Sequence, residues 1–219
     1  MLRLRTLLVV LGTVVLFSGC VSLLEPRQSN IQYYVLGSPE AMTSIEAPGD
    51  TAGLSVGLRR VQIADYLDAP ALVTRRGSHT IRFADFHRWG EDLARAINRT
   101  LAARLVAQTG VGQATVVPFT TRDRHDYLVQ LNVLRFEGAG PPPLGPDEEP
   151  PDAAPVGGAH MTIAWEVIDP ETESVLTRGI TRHQEDDWTV NDYADLVAKL
   201  DASITVLAQD LAARLQERP

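Results

Sequence analysis

Apolar positions along the chain repeat with two different periods, and each period predicts a different kind of element. Ile31 to Gly37 (IQYYVLG) has the β-branched and aromatic content of a strand and stops at Gly37-Ser38-Pro39. Residues 38–52, rich in Ser, Pro, Thr, Ala and Gly, read as a loop. Leu54 to Ile63 (LSVGLRRVQI) reads as a second strand with Leu54, Val56 and Leu58 on one face. Ala71–Arg75 and Thr80–Phe83 flank RGSH, whose Gly77-Ser78 suits a hairpin turn. The period then lengthens. Phe86, Trp89, Leu93, Ile97, Leu101 and Leu105 recur at steps of three and four after a cap at Ala84-Asp85. Arg88, Glu91, Asp92, Arg95, Arg99 and Arg104 fill the opposite side, and Gly110 supplies a stop. This predicts a helix of about 23 residues, roughly 34 Å long.

The second half returns to period two. Thr115–Phe119 and Asp126–Phe136 read as strands; in the latter (DYLVQLNVLRF) Leu128, Gln130, Asn132 and Leu134 oppose Tyr127, Val129, Leu131 and Val133, which suits a central strand covered on both sides. Gly138 to Gly158 (GAGPPPLGPDEEPPDAAPVGG) is mostly Pro, Gly and acid, too poor in apolar groups to order itself. It reads as a flexible Pro-rich acidic insertion at a hairpin tip. Met161–Ile168 and Val175–His183 form a further hairpin around a turn at Pro170–Glu173. From Asn191 to Arg218 a second long amphipathic helix carries Tyr193, Leu196, Leu200, Ile204, Leu207, Leu211 and Leu215 on one stripe. The order of elements predicts the α/β class: a single-domain α/β sandwich, with two long amphipathic helices on a mixed sheet.

The extreme N-terminus follows another logic. Arg3 and Arg5 precede an apolar run of 11 residues, Leu7 to Phe17, then Ser18, Gly19 and Cys20. That run is short of the roughly 20 residues a membrane-spanning helix needs. Its charged, apolar, small order is that of a secretion signal. Cys20 is the only cysteine in the chain, so no internal disulfide can form, and stability has to come from an apolar core. Leu16-Phe17-Ser18-Gly19-Cys20 resembles a bacterial lipobox, with Phe17 where Leu is usual. The resemblance implies a signal peptide over 1–19, a diacylglycerol and a further fatty acyl chain (such as palmitate) on Cys20, and a short lipidated tether over 20–30. The globular domain then spans 31–219. Two or more acyl chains hold a protein firmly on a membrane.

Composition narrows the function classes. The net charge is −8, and losing Arg3 and Arg5 with the signal makes it −10, which argues against nucleic acid as a partner and against electrostatic docking on anionic lipid. The histidines, at 79, 87, 125, 160 and 183, show no metal-ligand spacing. His87, placed on the first turn of the predicted helix, reads as a surface histidine. Glu185, Asp186 and Asp187 read as a solvated cluster, and Trp89, Trp165 and Trp188 as core or interface anchors. Nucleophile-elbow, phosphate-loop and dinucleotide motifs are absent from the sequence, so no enzyme, cofactor or metal is expected.

The stretch 54–105 resembles the signature region of the PqiC/YmbA family of ABC-type transport auxiliary lipoproteins. There the block runs strand, P-x-Y-L-D-R-P-Q-I-V-T-R, hairpin, A-E-F-x-R-W-A-E-x-L. Here it is matched by Asp65-Tyr66-Leu67-Asp68 with Pro70, by Val73-Thr74-Arg75, and by Ala84-Asp85-Phe86 with Arg88, Trp89, Glu91 and Leu93. Tyr33-Tyr34-Val35-Leu36 and Arg135-Phe136-Glu137 extend the match, while Ala64, Ala69 and Ala71 depart from it. The resemblance marks Tyr66, Leu67, Pro70, Thr74, Arg75, Phe86, Arg88, Trp89 and Glu91 as structural or interface residues. It implies an outer-membrane lipoprotein facing the periplasm, partnered with an MCE-domain protein of a lipid transporter and able to form a homo-oligomeric ring. Val21, where Asp would favour the inner membrane, agrees with outer-membrane sorting. A module that itself holds a phospholipid between sheet and helix is the alternative reading.

Overall fold

The computed structural model describes residues 30–37, 53–119, 124–142, 144–145 and 152–217. The signal peptide, Cys20, all of the tether but Asn30, the whole 38–52 loop and the centre of the Pro-rich stretch lie outside the described residues. In chain order the elements are β1 (Gln32–Tyr34), β2 (Leu54–Leu58), β3 (Gln62–Ile63), a 3-10 turn (Asp65–Leu67), β4 (Ala71–Arg76) and β5 (Thr80–Trp89). Then come α1 (Leu93–Val106), β6 (Val111–Val116), β7 (Tyr127–Gly140), β8 (Val156–Ile168), β9 (Val175–Thr189) and α2 (Tyr193–Gln216).

The nine strands of the described residues belong to one mixed sheet, and β7 is its spine. One edge of β7 pairs antiparallel with β8, which pairs antiparallel with β9. The other edge is tiled end to end by β2, β3 and β4, all parallel to it. Residues 54–76 thus run beside β7 as an interrupted strand and not as the continuous one expected over 54–63. Outside β2 lies β6, and outside β4 lie β5 and then β1. Pro118 has no N–H for the ladder, so β6 ends at Val116, earlier than the expected 115–119 strand.

Both helices cover one face. On α2 the predicted stripe is buried, with Ile204, Leu207, Leu211 and Leu215 fully enclosed. Asp192 caps it, its side chain accepting the Asp195 N–H at 3.1 Å. The first helix departs from expectation. It starts at Leu93, capped by Asp92, whose Oδ1 accepts the Arg95 N–H at 2.8 Å. Phe86 and Trp89 are therefore strand residues, and they do not share a helical stripe with Leu93. Strand ladders claim this stretch: the Trp89 N–H bonds the Pro70 carbonyl at 2.7 Å, and the Gly90 N–H bonds the Tyr34 carbonyl at 2.7 Å. His87 accordingly sits on β5, where it stacks on Tyr193 with ring centroids 4.1 Å apart.

Two further bounds shift. β7 and β8 run to Gly140 and from Val156, so both ends of the expected 138–158 insertion are paired strand. A bulge at Leu134 breaks the register of β7 against β8. Before it, Val129, Leu131 and Val133 point to the helices; after it Phe136 does, touching Trp89, while Arg135 and Glu137 point away. Gly138 lies on the helix side, where a Cβ would stand 2.8 Å from the Trp188 ring.

Candidate functional site

Alternation carries a second set of side chains onto the other face of the sheet, and among the described residues no α-helix lies on it, so β7 is covered by helices on one side and not on both as expected. On its β7–β9 half, Gln130, Asn132, Ala164, Glu166, Arg178 and Ile180 line a shallow groove of about 450 Å³. Ile180 and the bulged Leu134 are exposed, at 46% and 39%. On the β4–β5 side the same face carries Phe83, paired with Val73, and Arg88, paired with both Ala71 and Tyr33. Phe86, two residues before Arg88, joins them.

Between the two halves is a buried carboxylate. Glu137 has no solvent exposure, and Arg75 Nε donates to its Oε1 at 2.6 Å while Arg135 Nε donates to the same oxygen at 3.1 Å. A second Arg75 contact reaches Oε2 at 3.4 Å. The Arg75 guanidinium also lies 5.7 Å from the Tyr66 ring centroid, and the Tyr66 hydroxyl donates to the Leu134 carbonyl at 3.1 Å. Burial and the nearby Glu137 charge push the Tyr66 hydroxyl up to about 12, and Glu137 raises Arg75 further. His160, across the ladder from Glu137, is held below its ordinary value by burial and by Arg135. In this arrangement the carboxylate is already engaged by two guanidinia, and its geometry serves to lock the 3-10 turn and β4 onto β7. In the sequence Glu137 stands out only within Arg135-Phe136-Glu137, and its partner Arg75 lies 62 residues away, so spacing does not reveal the pair.

The other motif residues separate by role of place. Leu67 is buried and, with Pro70 and Trp89, lines a cavity of about 360 Å³ at the start of α1. Thr74 is buried on the helix side. Glu91 meets Arg99 at 2.5 Å, and Arg99 also donates to the Leu36 carbonyl at 3.3 Å, tying the chain after β1 to α1. Phe86 stands 56% exposed on the open face. Cys20 lies outside the described residues. Trp165 and Trp188 are core residues, with Trp188 Nε1 donating to the Asp192 carbonyl at 2.7 Å. Glu185, Asp186 and Asp187 lie on β9, where Glu185 faces Lys199 at 3.5 Å. Among the described residues no three acids, histidines or cysteines gather as metal ligands, and no helix is long and apolar enough to cross a membrane.

Solved proteins share this arrangement of sheet and helices. A DUF330 protein from Xanthomonas campestris superposes with a TM-score of 0.59 at 11% identity, covering 86% of this chain and 97% of its own. A second, uncharacterised protein does so with a TM-score of 0.59 at 15% identity, over 84% and 98%. Likeness at such identity is likeness of fold. No curated protein matches the sequence. The sequence itself matches one family over residues 34–212, from the last residue of β1 to within four residues of the end of α2. The chain belongs to the family of ABC-type transport auxiliary lipoprotein components.

Proposed function

We propose that this protein is a lipid-anchored docking and assembly component of an ABC-type intermembrane lipid transporter, with an MCE-domain protein as its partner. Cys20 is the anchor, the outer membrane its location and the periplasm the compartment its body occupies. The observation that carries the reading is the open face: a broad sheet surface with a shallow groove and exposed Leu134 and Ile180, where the other face is filled by helices. Apolar groups among polar ones on a rigid surface suit recognition of a protein partner. A second copy has a separate place to bind, because among the described residues the 15-residue β9 pairs with β8 alone and no strand lies along its outer edge. The alternative, a phospholipid held between sheet and helices, finds that layer occupied by Leu131, Ile163, Ile204 and Leu207, each fully buried.

The test is a pull-down of an MCE-domain protein from the same cell by residues 21–219, beside Cys20→Ser expressed in cells. Capture together with loss of acyl labelling in Cys20→Ser supports the reading. Retention of label in that variant would remove the anchor, and failure of capture would remove the partner.

A further inference from the structure

The chain outside the body ends beside one particular edge of the sheet. Among the described residues β1 is an edge strand that begins two residues after Asn30 and pairs with β5 alone. Resting on the anchoring of Cys20 proposed above, a ten-residue tether from Val21 to Asn30 can reach at most about 35 Å. β1 is therefore the strand joined most directly to the anchor. β9, at the far edge, lies five strand spacings away, about 24 Å.

What this edge presents on the open face differs from the rest of it. Tyr33, Phe86 and Phe83 are 64%, 56% and 48% exposed, on the adjacent strands β1 and β5. Register puts Tyr33 and Phe83 on the face of Arg88: Tyr33 pairs with Arg88, Arg88 pairs also with Ala71, and Phe83 pairs with Val73; Phe86 lies in the irregular stretch between them, two residues before Arg88, where strand alternation places it on the same side. Val35, two residues beyond Tyr33, is 59% exposed. Arg88 is the cation among these rings. Asp85 is the acid of the same strand, and its charge adds to burial in raising the Tyr193 hydroxyl on α2. Three exposed aromatic rings around one arginine, in a chain of net charge −8, are the side chains that enter a lipid headgroup layer: rings at the acyl boundary, a guanidinium on the phosphates.

We infer that Tyr33, Phe83, Phe86 and Arg88 form a lipid-contacting corner that seats the anchored body on the membrane surface. The corner is a secondary contact. The acidic body as a whole is repelled by anionic lipid, so the rings enter only when the tether holds them at the surface. It leaves the β7–β9 half of the open face, with Ile180 and its groove, turned to the periplasm. The occupant of the corner is a phospholipid surface, not a second copy or a transporter subunit.

The experiment uses the full lipidated protein in phosphatidylethanolamine–phosphatidylglycerol vesicles. With Cys20 acylated, a cysteine introduced as Phe86→Cys or Tyr33→Cys takes the environment-sensitive dye NBD alone, and Leu176→Cys on β9 is the reference. The three positions are exposed, and unchanged melting curves verify that the body stays folded. The inference expects NBD at 86 and 33 to shift to the blue, to brighten severalfold and to be quenched by nitroxide-bearing lipid, with position 176 unchanged. Vesicle flotation of the same samples reports the anchor separately. Flotation with water-like NBD at 86 and 33 overturns the corner and leaves the anchor standing. Shielded NBD that lipid nitroxide does not quench means a protein covers the corner, which also overturns it. Failure to float overturns the anchor and the corner with it.

Discussion

The two faces of one sheet are built by opposite rules. On the helix side the centre of β7 is apolar and enclosed: Val129, Leu131 and Val133 are at zero exposure, and Phe136 is at 1%. Across the sheet, the same strands show Gln130, Asn132 and Arg135, with Glu137 held by two arginines. The Leu134 bulge reconciles the two patterns by moving Glu137 out of the core and Phe136 into it. A sheet that solves its stability on one face is free to offer the other to partners. Changes to the covered face should cost folding first, and changes to the open face should cost binding alone.

The largest effect is expected from Trp89→Ala. Trp89 is 6% exposed and tilts against Phe136 with ring centroids 6.1 Å apart. Truncating a buried aromatic costs about 3–5 kcal/mol, a large part of a domain's roughly 5–15 kcal/mol. Thermal unfolding should show a marked fall in Tm, and an unchanged Tm would move Trp89 out of the core account.

The Glu137 cluster tests where the division blurs, because it is buried yet lies on the open face. Arg75→Met leaves the enclosed carboxylate with Arg135 as its remaining cation. Breaking a buried pair from one side costs on the order of 3–5 kcal/mol, and the surviving partner brings this to the lower end. Glu137→Gln with Arg75→Met, measured together by urea denaturation, should recover much of the loss. If the double variant is no better than Arg75→Met alone, the pair is not coupled as described.

A smaller effect comes from His160. Its folded value is below 6.5, so as pH falls the unfolded chain takes the proton first. Stability attributable to this group is complete above pH 6.5 and declines as pH falls through 6.5 toward the lower folded value, then levels. His160→Gln should flatten the Tm profile in that window, and an identical slope in the variant would assign it to other groups.

How much of this was readable in the sequence depended on whether an element's signal was complete within itself. The α2 stripe is regular from Tyr193 to Leu215, and the sequence placed it to within two residues at each end. The start of α1 was misread because Phe86, Trp89 and Leu93 have helical spacing although strand and helix meet between them; the true cap, Asp92, stands next to the apolar run. β5 is a strand for reasons far away in the chain, namely Pro70, Tyr34 and β4. The interruption of 54–63 and the Leu134 bulge have the same cause, since each depends on a neighbouring strand. The motif residues were visible as a block, but their partition among the core, the carboxylate lock and the open face needed the fold. Burial of Glu137 in particular follows from β4 lying against β7.

The division of the two faces is tested most directly by site-specific photocrosslinking in living cells. A photoreactive side chain is placed at Ile180 on the open face and, in a second strain, at exposed Ala198 on the outer side of α2. Replacing either exposed residue should leave Tm unchanged, within about 0.5 kcal/mol in stability. The account predicts a crosslink to an MCE-domain protein from position 180 and none from 198. A crosslink from 198 with silence at 180 would contradict it, placing the docking surface on the helices and leaving the open face without the role assigned to it.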